Sequence, residues 1–293
     1  FGYPARKWLY SLSKNGIGVW QFLPLAPTDS TGSPYSSPSS FAFNPWFLDV
    51  IDLEKDDFLT NKSSKYIQNF DSCDDKVDFQ LANSRVKRLS SCLVDEWERQ
   101  DVKQKIEFER WCEKQFWLND HSMFMELRNQ NNNLPWWKWS EKLAIHDHAE
   151  LSKWKNENQK ELLGHNLLQW HLDRQWKSIR KLAKKLGISL FGDLPFYVSK
   201  DSADVWSRRS LFSISSNSDT LIQTGVPPDY FSETGQLWGN PAYRWSRHKV
   251  SRFKWWRKRI SRHLEQVDLL RLDHFRALEA YWAIPGRDIT AER

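Results

Sequence analysis

An arginine and an aspartate two positions apart, Arg271 and Asp273, close the largely apolar run Val267-Asp268-Leu269-Leu270-Arg271-Leu272-Asp273. Read as a strand, the run alternates faces, so these two side chains point the same way. A guanidinium beside a carboxylate favours the ionised form. An ionised aspartate at a strand end is suited to acting as a nucleophile on a sugar carbon. A structural ion pair explains the same two residues equally well.

Three further segments bear on that choice. Ser33-Pro34-Tyr35 lies in a stretch from Thr28 to Pro45 rich in Ser, Pro and Gly. Composition alone makes it a linker, yet Tyr35, Phe41, Phe43 and Trp46 punctuate it, as expected of a loop folded over a binding site. Ile188-Ser189-Leu190-Phe191 reads as a strand leading into Gly192-Asp193-Leu194-Pro195, a second strand that ends on an acid. The run from Gly225 to Pro241 holds Tyr230, Phe231 and Trp238 among glycines and prolines, and reads as a rigid loop able to line a groove for a long polar polymer. A plain structural turn accounts for its Gly and Pro but not for three large aromatics together.

The elements that must position these residues follow from periodicity. Pro4 to Ser13 reads as a helix stopped by Asn15-Gly16, and Val19 to Leu23 as a strand ended by Pro24. From about Val77 to Leu186 the pattern is helical, charged and studded with Trp. Within it Leu168, Leu172, Trp176, Ile179, Ala183 and Leu186 recur every three or four residues, an amphipathic helix closed by Gly187. A helix feeding a strand is the unit of a βα barrel, in which strand C-terminal ends form one face and carry the active site. Tyr35, Asp193 and Asp273 then converge on one rim. Arg244 to Arg262 carries nine Lys or Arg in 19 positions, interleaved with Trp245, Phe253, Trp255 and Trp256. It reads as a solvated outer helix with its aromatics turned inward; a nucleic-acid face is the weaker alternative.

The bulk properties narrow the class. Hydrophobic residues make up 40% of the 293, enough for a sizeable core. Mean hydropathy is −0.71, and no apolar run reaches the roughly 18 residues of a membrane span, so no membrane partner is expected. There is no signal-peptide pattern, although the chain starts at Phe1 and ends abruptly at Arg293, which suggests missing sequence on both sides. Cys73, Cys92 and Cys112 are odd in number and widely spaced, which fits neither a disulfide framework nor a zinc motif and reads as reduced thiols. The 18 Trp suit sugar stacking or a large core, and composition does not choose between them.

Taken together, Trp20-Gln21-Phe22-Leu23-Pro24-Leu25, Ser33-Pro34-Tyr35-Ser36, Gly192 to Val198, Ser202-Ala203-Asp204-Val205-Trp206, the 225–241 run and Arg271-Leu272-Asp273-His274-Phe275-Arg276 resemble the 4-α-glucanotransferases of glycoside hydrolase family 77, in the family's order and over essentially the whole chain. The resemblance implies an α/β fold, a (β/α)8 TIM barrel with large helical insertions. It is present here in part, about strands 2 to 4, as one domain over 1–293 with a helical insertion at about 77–165. It implies transfer of α-1,4-glucan segments between maltooligosaccharides, starch or glycogen-type glucans by a retaining mechanism. No cofactor, metal, nucleic acid or membrane is involved, and the compartment is the cytoplasm, with the plastid stroma as the other candidate.

By the same resemblance Asp273 is the nucleophile that forms a covalent glucosyl intermediate, and Arg271 orients and ionises it. Tyr35, Asp193 and His274 hold the ring at the cleavage point, with Ser33 a weaker candidate, while Tyr230, Phe231 and Trp238 guide the chain. The family's acid/base Glu and third Asp fall beyond the Asp273 strand, and its first barrel strand before Phe1. The expectation is therefore a portion of such an enzyme, inactive by itself. A non-catalytic glucan-binding remnant is the alternative. Ala277, and Phe43 ahead of Asn44-Pro45, stand where the family usually has Gly.

Overall fold

The computed structural model describes residues 1–69 and 76–292; Cys73 and Arg293 lie outside them. Among the described residues six strands form two sheets. The first has the order β1-β2-β5, made of β1 (Val19–Gln21), β2 (Ser189–Leu194) and β5 (Leu269–Leu272). β5 runs parallel to β2, with Asp193 opposite Arg271 and Leu194 opposite Leu272. The second sheet has the order β4-β3-β6, with β3 (Ile222–Val226) antiparallel to both β4 (Gln236–Pro241) and β6 (Trp282–Pro285).

Three elements differ from the sequence reading. β2 extends through Leu194, so Asp193 lies inside the strand rather than beyond it. The supposed rigid loop 225–241 is a strand–loop–strand unit: its ends lie in β3 and β4, and the connection between them, which holds Tyr230 and Phe231, is irregular. Gly225 makes that pairing close, because a Cβ there would lie 2.1 Å from the Gln236 carbonyl oxygen. The basic segment is two helices, Trp245–Val250 and Lys254–Leu264. Between them Arg252 and Phe253 take left-handed φ of 50° and 56°, which ends one helix before the next begins.

The chain divides into two compact units. One comprises Phe1–Gln21, Ala42–Ser122 and Lys155–Leu190. Its spine is the helix Gln159–Lys185, where Leu168, Leu172, Trp176, Ile179 and Ala183 are buried as their spacing predicts. The same helix also buries Gln169 and Gln175, which periodicity assigns to no core. Each satisfies its amide on one backbone residue: Gln169 accepts from Phe43 N (2.9 Å) and donates to Phe43 O (2.8 Å). Gln175 does the same with Asp49 (2.9 and 2.8 Å). Phe43, at a position where a Gly was expected, is fully buried between Phe1 and Trp176.

The other unit comprises Phe22–Phe41, Met123–Trp154 and Phe191–Arg293. Its core holds Phe124, Trp136, Trp206, Phe212, Trp255 and Trp256. Two of the buried indoles find acceptors, Trp136 donating to the Lys200 carbonyl (2.7 Å) and Trp206 to that of Leu143 (2.8 Å), whereas those of Trp255 and Trp256 have no hydrogen-bond partner among the described residues. Most of the Trp content is therefore core. Trp255 and Trp256 face inward, as expected for an outer helix, and leave the basic segment without an exposed indole pair for base stacking. Cys92 and Cys112 are free thiols, and burial pushes Cys112 up to about 12, which makes it a poor nucleophile. Among the described residues no helix is long and apolar enough to cross a membrane.

Candidate active site

The site is built at the C-terminal ends of β2 and β5, within the second unit. Laterally paired residues of parallel strands project to the same face. The register Asp193↔Arg271 thus sets a carboxylate beside a guanidinium. Arg271 donates from Nε to Asp193 Oδ1 (2.9 Å) and from Nη2 to Asp193 Oδ2 (3.1 Å), a bidentate pair. The same Nη2 donates to Asp273 Oδ1 at 2.9 Å. The ladder continues for one more rung, Asp273 N to Leu194 O at 3.0 Å, which fixes where Asp273 stands.

The two carboxylates differ in exposure, and that separates their tasks. The Asp193 side chain is 3% exposed and that of Asp273 is 41% exposed. Asp193 is an anchor; Asp273 is the one presented to an incoming molecule. The Arg271 guanidinium is held above its usual range, first by its hydrogen bond to Asp193 and then by that carboxylate's charge, with Asp273 adding to it.

Tyr35 completes the anchor. Its hydroxyl donates to Asp193 Oδ2 at 2.6 Å, so both oxygens of Asp193 are taken by donors. Burial, then the Asp193 bond and charge, push the Tyr35 phenol up to about 12. Tyr35 is held by a turn in which Asp29 Oδ1 accepts from Thr31 N and Ser33 N, both at 2.9 Å, and Ser33 Oγ accepts from Tyr35 N at 3.3 Å. Ser33 acts on the backbone of this loop, one step removed from the carboxylates.

After Asp273 the chain turns sharply. His274 has φ 50° and ψ 43°, a left-handed conformation uncommon outside Gly and Asn. The turn sets its ring against Trp238 (4.9 Å, 86°) and Tyr197 (5.9 Å). Burial lowers the His274 pKa, with the charge of Asp273 opposing and that of Arg276 reinforcing the shift. The structure brings Tyr35, Asp193, Arg271, Asp273, His274 and Trp238 together. Tyr230 and Phe231 stand elsewhere, 98% and 90% exposed in the β3–β4 connection and packed edge-on against each other at 5.8 Å.

Tyr197, within the Gly192 to Val198 motif, is a further residue of the cluster that sequence patterning does not single out. Tyr197 is buried against His274, Trp238, Tyr243 and Tyr281, and its hydroxyl has no hydrogen-bond partner among the described residues. The available signal was its place four residues after Asp193, past a strand end. Among the described residues no group of three or more His, Cys, Asp or Glu is arranged to hold a metal ion. What the cluster offers is a half-exposed carboxylate oriented by an arginine, beside a buried carboxylate, a phenol, an imidazole and an indole.

Strand C-terminal ends that carry a charged cluster are where a βα barrel places its active site. The 4-alpha-glucanotransferase family model (Glyco_hydro_77) matches residues 1–293, and the chain belongs to that family. It is 36% identical over 295 residues to the 4-alpha-glucanotransferase of Clostridium butyricum, covering 100% of this chain and 60% of that protein. It is 35% identical to the chloroplastic/amyloplastic 4-alpha-glucanotransferase of Arabidopsis thaliana, covering 95% of this chain and 48% of that protein. It superposes on the solved amylomaltase of Streptococcus agalactiae in complex with acarbose with a TM-score of 0.93 and 30% identity, over 99% of this chain and 59% of that one. The fold class is accordingly part of a (β/α)8 barrel with large helical insertions. The chain spans between 54% and 60% of the length of the curated bacterial relatives it matches.

Proposed function

We propose that this chain carries the glucan-cleaving half-reaction of a 4-α-glucanotransferase, acting on maltooligosaccharides, starch or glycogen-type α-1,4-glucans. The observation that carries it is the Asp193–Arg271–Asp273 bridge, with one carboxylate anchored and the other open. Asp273 attacks the anomeric carbon and forms the covalent glucosyl ester as the glycosidic C–O bond breaks, the departing sugar's 4-oxygen taking a proton from an acid/base carboxyl, while Arg271 keeps the attacking oxygen oriented. A sugar hydroxyl of an acceptor then attacks the same carbon in place of water, giving its proton to the acid/base carboxyl and breaking the ester to restore the Asp273 carboxylate, a course favoured where aromatic walls exclude solvent. Asp193, His274 and Tyr35 hold the ring at the cleavage point, with Ser33 shaping the Tyr35 turn. Trp238 lies against the site, and Tyr230 and Phe231 lead the glucan toward it. The compartment in this reading is the cytoplasm, or the plastid stroma as the name of the Arabidopsis relative indicates for that protein. No cofactor enters the scheme.

A second reading, glucan binding without turnover, draws on a specific feature. The retaining reaction needs an acid/base carboxyl about 5 Å from the nucleophile. The carboxylates bonded to Arg271 among the described residues are Asp193 and Asp273, and both Asp193 oxygens already accept hydrogen bonds. Asp193 is thus poorly placed to deliver a proton, and loss of general acid–base catalysis forfeits a factor of roughly 10² to 10⁴, which leaves binding without appreciable turnover.

The deciding experiment follows maltotriose disproportionation by chromatography, with the Clostridium butyricum enzyme as positive control and Asp273→Asn as negative control. Slow glucose release that Asp273→Asn removes supports transfer. Maltotriose binding without release leaves the second reading. Neither binding nor release would sink both.

A further inference from the structure

The helix Lys254–Leu264 turns one face inward, and that face is charged. Trp255, Trp256, Arg259, Arg262 and His263 are buried, at the i, i+1, i+4, i+7 and i+8 positions of a single stripe. Arg259 is 1% exposed and donates to oxygens that carry no formal charge. Its Nη2 donates to Pro195 O (2.6 Å), and its Nη1 to Phe196 O (2.9 Å) and Tyr243 Oη (3.2 Å). The guanidinium carbon lies 5.3 Å from the Trp255 ring and 5.2 Å from the Trp256 ring. Burying an arginine in this way is unfavourable unless its donors are met; here the two Nη groups are met by the backbone that follows Asp193 and by Tyr243, while Nε has no partner among the described residues.

Among the described residues that backbone's other side-chain support is the Tyr243 hydroxyl. The β2–β5 ladder ends at Leu194, and Pro195 has no N–H to offer a neighbour. The carbonyls of 195 and 196 would be orphaned at the strand end without Arg259 and Tyr243, whose hydroxyl also donates to Phe196 O at 2.6 Å. The segment they hold runs from Asp193 to Tyr197, the ring that packs on His274. On the same helix His263 Nε2 meets Ser40 O at 3.0 Å and Arg262 Nε donates to Phe41 O at 3.3 Å, so a second rim segment, the one continuing from Tyr35, is held too.

We propose that Arg259 is a positioning residue for the candidate active site: it replaces the missing rungs beyond β2 and so sets the Asp193 carboxylate and the Tyr197–His274 wall. This rests on the cluster being the glucan site, but its test need not. Arg259 touches no reacting atom. It acts through the Pro195 and Phe196 carbonyls, which a lysine could satisfy only one at a time.

The test compares the full chain with Arg259→Met, Arg259→Lys and, on the exposed face of the same helix, Arg257→Met. Each variant is first shown to be folded by its near-ultraviolet circular dichroism. Two readouts follow: the imidazole titration of His274 by NMR, assigned with His274→Gln, and maltotriose affinity by calorimetry. Asp273 and Arg276 carry the charges acting on His274, and Tyr197, Trp238 and Phe196 are the rings against it. In Arg259→Met the Tyr197 wall loosens, the His274 pKa climbs back toward its ordinary 6.5, and affinity falls roughly tenfold or more. Arg259→Lys recovers part of both, and Arg257→Met matches the parent. A folded Arg259→Met whose His274 titration is unchanged overturns the proposal. If the parent does not bind maltotriose, the glucan reading fails while the His274 titration still decides the positioning role.

Discussion

The Tyr35 hydroxyl and Asp193 meet at 2.6 Å although 158 residues separate them, and Arg271 closes on the same carboxylate from the neighbouring strand. The phenol is one of three donor groups on a buried anion. Tyr35→Phe keeps the ring and removes that donor, leaving Asp193 Oδ2 with Arg271 alone. The expected loss of stability is about 1 to 3 kcal/mol, the range for a bond to a charged group. Thermal melts and maltotriose calorimetry on the same preparation check it, with weaker binding expected alongside the lower melting temperature.

The two aspartates should separate stability from activity. Asp273 is half-exposed, and its pairing with Arg271 is of the kind worth about 0 to 1 kcal/mol. Asp273→Asn is therefore expected to melt within a few degrees of the parent while losing any glucosyl transfer. Asp193→Asn puts an amide NH2 against donors in a buried place, and is expected to be destabilised by about 1 to 3 kcal/mol. Denaturant midpoints for the pair would show the contrast; equal midpoints would contradict it.

Acid should loosen the fold in a defined window. Burial is the leading cause that holds His121 and His263 down to about 3, against an ordinary 6.5. A group whose folded pKa is lowered contributes stability that is complete above 6.5 and lost as pH falls toward 3, because the unfolded chain takes up the proton first. Melting temperature is expected to fall steadily across that window. His263→Gln keeps a donor for Ser40 O and removes one titrating site, so its melting temperature should fall less steeply.

At high pH the sign reverses for Tyr35. Its folded pKa of about 12 lies above the ordinary 10. Between the two the unfolded chain releases a proton that the folded chain keeps, so stability is present below 10 and declines as pH rises to 12. Tyr35→Phe should show a shallower alkaline decline in unfolding experiments.

Gly225→Ala tests the sheet beside the site. The added methyl would press on the Gln236 carbonyl oxygen, a backbone atom that cannot rotate away, and on Ile284 Cδ1 at 2.8 Å. The expected destabilisation is about 1 to 3 kcal/mol. Because β4 carries Trp238 against His274, the change should also alter the His274 NMR signal.

Much of this was legible in the chain. The spacing of Leu168, Leu172, Trp176, Ile179 and Ala183 gives a buried helix face, because a 3.6-residue repeat leaves few other places for those side chains. Arg271 and Asp273 share a strand face because the strand repeat is two. Local periodicity carries such information, and the motifs around them suffice for family membership.

Other features depended on partners far along the sequence. Gln169 and Gln175 look like solvent residues until Phe43 and Asp49 supply backbone groups for both amides. The 225–241 run reads as a loop because its Gly and Pro are loop residues; its ends are sheet because β6, more than forty residues later, pairs with β3. Arg259 lies in a charged run that composition calls solvated, and only the end of β2 turns it inward. The sequence by itself determined the long buried helix, the strand that leads into Asp273, and the family. Tertiary structure decided that Asp193 is buried and doubly held while Asp273 stays open, because exposure and hydrogen-bond partners are set by what packs across the fold rather than by neighbours in the chain.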